Sequence, residues 1–202
     1  MTGRTLVAGV GNVFLGDDGF GVEVAARLAE HHLPAGVEVA DFGIRGVHLA
    51  YQLLEGYDLL VLVDALARGE PAGTLTVFEP VRRPTAEPQV ATAALLDAHG
   101  MQPDLVLGLL DVLAASDGGN RAVARVVVVG CEPAALEDGM GLSDPVAAAV
   151  PAAVDLVLEL LDEEGEGHGQ VDHRRVGAGS RGGGLAGGQG HEAVLQDPED
   201  VS

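Results

Sequence analysis

"GVGNVFLGDDGFG", residues 9–21, follows a short apolar run and precedes an amphipathic segment. That order of strand, glycine-rich loop and helix is the frame in which phosphate-binding loops occur. The details exclude a phosphate. G-x-G-x-x-G would need glycine at position 14, where the chain has Phe14, and no Gly-Lys-Ser/Thr closes the loop as a P-loop requires. Five residues separate Gly11 from Asp17, and a pyrophosphate at the helix start would face two carboxylates, Asp17 and Asp18. Acids in a first helical turn favour its dipole and its unpaired N–H groups, so an Asp17 or Asp18 N-cap is one sufficient reading. The other divides the pair, with one acid capping the helix and its neighbour pointing into a cleft.

Outward from the loop, strand and helix patterns alternate. Strands are expected at 5–10, 36–43, 58–65, 74–80 and 124–133, and helices at 19–32, 47–56, 103–116 and 143–161. Pro103 opens the third helix, Ser143 or Asp144 caps the last, and Pro151 is placed to kink it. This alternation predicts an α/β fold, a mostly parallel sheet of about five strands between helix layers. Loops at the carboxyl ends of its strands would carry function.

Asp64 ends "DLLVLVD", an otherwise continuous apolar strand. A carboxylate is costly to bury unless paired or coordinated, so it should emerge at the strand's carboxyl end, on the same edge as the 9–21 loop. A local cap or turn for the segment that follows is the competing reading. His99, in "LLDAHGMQPDL", is a loop histidine beside glycine. Two carboxylates and one imidazole suit a borderline divalent metal such as nickel, zinc or iron, with positions left for water or substrate. His31, His32 and His48 are expected on the surface.

The chain has 202 residues, 47% of them hydrophobic, and a formal net charge of −20. It contains no lysine. That charge disfavours nucleic-acid binding, which depends on cationic side chains neutralising phosphates, and favours a cation or a basic partner segment. Cys131 is the single cysteine, so no internal disulfide and no thiolate cluster can form, and a buried structural thiol is expected. The apolar runs fall short of a membrane span, and the first residues lack the ordered regions of a secretory signal. A cytoplasmic protein is expected, with no membrane and no nucleic-acid partner. From Asp162 to Ser202 there are 11 glycines and nine acids with few apolar residues, so residues 162–202 are expected to form a disordered tail behind a domain at 1–161.

Taken together, "GVGNVFLGDDGFGVEVA", "DFGIRGVHLA", "LLVLVDA", "DAHGMQPDLVL" and "GCEPAALEDGMGLSDPV" resemble, in order, the nickel–iron hydrogenase maturation endopeptidases. The resemblance covers roughly residues 4–161. It implies a three-layer α/β/α sandwich and an endopeptidase that removes a C-terminal extension from the hydrogenase large-subunit precursor after nickel insertion. It also implies that nickel arrives with the precursor and that Asp18, Asp64 and His99 are both metal ligands and the catalytic set, which leaves Asp17 as the helix-start acid. Family members often carry glutamate at the first of these positions, so Asp18 shortens the reach by one methylene. Asp41, Gly43, Arg45 and Gly46 fall where the family has a substrate-recognition loop. A monomer is expected. The alternatives at this stage are a non-catalytic nickel-sensing chaperone of the precursor and, less compatible with the loop, a nucleotide-dependent enzyme.

Overall fold

The computed structural model describes residues 3–80, 123–165 and, for the backbone alone, 174–176. Six strands are described: β1 (Thr5–Val10), β2 (Val37–Gly43), β3 (Tyr57–Ala65), β4 (Leu75–Phe78), β5 (Val123–Cys131) and β6 (Arg174–Val176). They form one sheet in the order β2-β1-β3-β5-β4-β6. β2, β1, β3 and β5 run parallel, whereas β4 is antiparallel to both β5 and β6. The described helices are α1 (Phe20–Leu28), α2 (Gly46–Leu53) and α3 (Asp144–Gly165), with a 3-10 turn at Gly16–Gly19.

Why these residues make this sheet follows from their burial. Every residue of β1 is buried, and in β3 every residue except Asp58, as expected for parallel strands covered on both faces. Side chains alternate along a strand, so neighbours enter different cores. Val7, Leu59, Val61, Val63, Val127 and Val129 join α1 and α3 in one core. Leu6, Ala8, Leu60, Leu62, Val126 and Val128 join α2 in the other. The result is the expected three-layer α/β/α arrangement.

Most element ends shift by up to four residues from the sequence expectation, and two differences reach into the expected tail. The last helix continues past residue 161 to Gly165, and residues 174–176 of the expected tail pair with β4 as a sixth strand. Edge pairing satisfies backbone groups without much apolar burial, which is why a glycine-rich, acidic segment can supply it unannounced by hydrophobic pattern. α3 runs through Pro151, and the missing proline N–H leaves one carbonyl of the preceding turn without its usual donor. The expected helix at 103–116 and the remainder of the tail lie outside the described residues. No described helix is long and apolar enough to cross a membrane.

Candidate metal and catalytic site

The 9–21 loop joins β1 to α1 at the carboxyl edge of the sheet, and its glycines bring backbone into contact. Gly11 has φ +125°, and a Cβ there would overlap the Asp18 carbonyl oxygen. Gly21 lies so close to β1 and β3 that a Cβ would overlap the carbonyl oxygens of Val10 and Val63. α1 therefore rests directly on the strand ends that carry the candidate site.

Asp17 and Asp18 occupy the same 3-10 turn but serve different neighbours. Asp17 is buried. Its Oδ2 accepts from the Ala134 N–H (2.7 Å), the Ala135 N–H (3.2 Å) and the Ser143 hydroxyl (2.9 Å), and its Oδ1 accepts from the Ser143 N–H (2.6 Å). Burial alone would raise its pKa, but these hydrogen bonds outweigh it and hold the carboxyl below the usual value. The expected helix-start role needs correction. Neither the 3-10 turn nor α1 has a side-chain cap, and the Asp17 carboxylate is spent on the segment before α3 instead. Ser143 supplies the carbonyl that accepts the first bond of α3, from the Ala147 N–H (2.8 Å), while its hydroxyl turns to Asp17. The Asp17 charge thus stands at the N-terminus of α3, where a helix dipole favours an anion.

Asp18 is half-buried, and its Oδ2 accepts from the Asn12 N–H at 2.6 Å. Asp64 is 5% exposed at the end of β3, and its Oδ1 accepts from the Ala65 N–H at 2.8 Å. Burial, and then the negative charge of Asp18, push the Asp64 carboxyl well above the usual range. The two acids singled out in the sequence therefore do share one electrostatic environment at the carboxyl edge. Each receives a single hydrogen bond among the described residues, far fewer than Asp17 does. This is an oxygen donor pair whose mutual repulsion a divalent cation would relieve, and the residues present fit such an ion. Two carboxylates are not a full ligand set, and no group of three His, Cys, Asp or Glu side chains gathers among the described residues. His99 lies outside them.

The candidate recognition segment stands beside this edge. The Gly11 N–H donates to the Gly43 carbonyl at 3.0 Å, which ties the end of β2 to the loop after β1. The Arg45 side chain folds back, its Nε donating to the Phe42 carbonyl (3.0 Å) and its Nη2 to the Asp41 carbonyl (2.5 Å). Asp41, Ile44 and Arg45 are exposed. His31, His32 and His48 are exposed, as expected. Cys131 is fully buried, also as expected, and burial followed by the charges of Asp17 and Glu132 pushes its thiol up to about 12.

Residues missed from the sequence are Ala134, Ala135 and Ser143 as partners of Asp17, more than 110 positions away in the chain. Three of the four contacts use backbone N–H groups, which no residue type announces. Ser143 was legible only as a helix cap.

A family model described as hydrogenase maturation protease matches residues 22–160. The hydrogenase 2 maturation protease of Escherichia coli is 32% identical, over 80% of this chain and 93% of that protein. The hydrogenase expression/formation protein HupD of Rhodobacter capsulatus is 35% identical, over 77% of this chain and 68% of that protein. The solved structure of the hydrogenase maturating endopeptidase HybD from Escherichia coli superposes with a TM-score of 0.61 at 30% identity, covering 80% of this chain and 94% of that one.

Proposed function

Because this chain belongs to the hydrogenase maturation protease family, we propose that it removes the C-terminal extension of a nickel–iron hydrogenase large-subunit precursor after nickel insertion. Asp18, Asp64 and His99 serve as the residues that engage precursor-borne nickel. The observation that carries this reading is the Asp64 carboxyl, buried at a strand end beside the like charge of Asp18 and served, among the described residues, by one N–H. Such a placement is destabilising unless a cation or a proton compensates it.

In the absence of a cation, burial and then repulsion by Asp18 favour the neutral form of Asp64. The Asn12 N–H holds Asp18 in place, and the backbone contact at Gly11 prevents the turn from drifting. The precursor's nickel supplies Lewis acidity toward the scissile carbonyl or a water molecule. Asp18 and Asp64 orient that centre, and either carboxylate is suited to accept a proton as the peptide bond is hydrolysed. Residues 41–46 contact the precursor chain in this reading, which is supported by the Gly11 N–H bond that ties Gly43 to the same loop.

The test is to incubate the purified protein with precursor, with and without bound nickel, and to read the precursor's mass. Loss of the extension from the nickel-loaded form alone is the expected result. Binding without any mass change would make the protein a nickel-sensing chaperone. Full processing by His99→Ala would remove His99 from the ligand set.

A further inference from the structure

Asp17 is buried and fully hydrogen-bonded, and the proposed chemistry does not use it. Among the described residues, its four partner groups all belong to Ala134, Ala135 and Ser143. A backbone zipper reinforces the same junction. The Gly16 N–H donates to the Gly139 carbonyl (2.9 Å), the Gly139 N–H donates to the Phe14 carbonyl (2.9 Å), and the Asp17 N–H donates to the Ala135 carbonyl (3.4 Å). Residues 14–17 are thus carried by the loop that follows β5.

We propose that Asp17 is a positioning residue, which locks the loop after β1 onto the loop after β5 and so aims the Asp18 carboxylate at the site shared with Asp64. In a 3-10 turn, at three residues per turn, consecutive side chains point roughly 120° apart. With Asp17 turned to the β5 loop, Asp18 must face elsewhere, and it faces the Asn12 N–H and the Asp64 carboxyl. Charge-assisted bonds are directional, and here both oxygens of Asp17 are engaged, so rotation of the turn would break several at once. A buried carboxylate is a costly way merely to hold a loop, since apolar packing does so without the desolvation penalty. Its value lies in fixing the orientation of its neighbour.

The test uses Asp17→Asn and Ser143→Ala in the full chain, with two readouts. Asparagine keeps the shape but turns an NH2 toward backbone donors, so it cannot accept all four bonds. Ser143→Ala deletes only the hydroxyl bond. The first readout is amide hydrogen exchange at Asn12, the donor to Asp18, measured against Val61 in β3. Asp17→Asn is expected to speed Asn12 exchange roughly tenfold or more while Val61 is unchanged, with a smaller effect in Ser143→Ala. Faster exchange confined to Ala134, Ala135 and Ser143 would reduce Asp17 to a loop tether and overturn the proposal. Should Asp17→Asn fail to fold, Ser143→Ala carries the same comparison.

The second readout rests on the proposed function and is precursor cleavage by folded protein. Misplacement of Asp18 by about 1 Å should lower kcat by about 10–100-fold while KM stays within about threefold. A wild-type kcat per folded Asp17→Asn molecule would overturn the proposal. If the unmodified protein cleaves no precursor at all, the functional reading fails, and the exchange experiment still decides the role of Asp17.

Discussion

Replacing Gly21 by alanine sets two effects of opposite sign against each other. Alanine in place of glycine improves helix propensity by at most about 1 kcal/mol. Against this, the new Cβ would overlap the carbonyl oxygens of Val10 and Val63, both backbone atoms of inner strands that cannot rotate away. α1 would have to lift from the sheet by about 1 Å, a gap that forfeits a quarter to a half of the dispersion well at each contact. The large side chains that α1 buries are Phe20, Val24 and Leu28. At about 1.5–3 kcal/mol each they contribute roughly 7 kcal/mol together, so the lift costs about 2–3.5 kcal/mol. The net expectation is destabilisation by about 1–2.5 kcal/mol, read as a lower urea midpoint with unchanged slope. Because Val63 directly precedes Asp64, cleavage of precursor should fall further than the folded fraction does. Unchanged or increased stability in Gly21→Ala would refute the direct seating of α1 on β1 and β3.

Three further outcomes follow from the charges and the thiol. The Asp64 carboxyl titrates above its ordinary 3.8, so its ionisation weakens the fold as pH rises from the unfolded value through the folded one. Without added metal, Asp64→Asn should therefore melt higher than the parent at neutral pH, show no such gain below pH 3.8, and lose cleavage. Equal melting at neutral pH would contradict the buried, repelled carboxylate. Asp17 shifts the other way, so its contribution is complete above pH 3.8 and disappears as pH falls through its lower folded value. The stability difference between parent and Asp17→Asn, measured by denaturant titration, should shrink in that acid range and stay constant above it. Cys131 should resist iodoacetamide at pH 8 in the native protein and react after denaturation, because its buried thiol is pushed up to about 12. Rapid native labelling, followed by mass, would contradict that burial.

Much of the fold could be read from local pattern because parallel strands buried on both faces must be continuously apolar. β1, β3 and β5 announce themselves in this way, and α1 and α3 by helical spacing of their apolar residues. Asp64 was legible as a site candidate for the same reason, an acid at the end of an apolar run. Asp18 was legible only as one of two adjacent acids, and choosing between them from sequence required the family resemblance. β6 was not legible, because an edge strand formed by Arg174–Val176 draws on backbone pairing and not on hydrophobic periodicity.

The sequence by itself determined the strand–loop–helix frame of "GVGNVFLGDDGFG" and the sign of the charge it presents, because glycine spacing and side-chain chemistry are local properties. Only the tertiary structure decided which way each acid turns. Asp17 is claimed by backbone N–H groups of a loop more than 110 residues distant, and that commitment leaves Asp18 to face Asp64. Such a choice rests on which strand ends become neighbours in the sheet, and no local spacing encodes it.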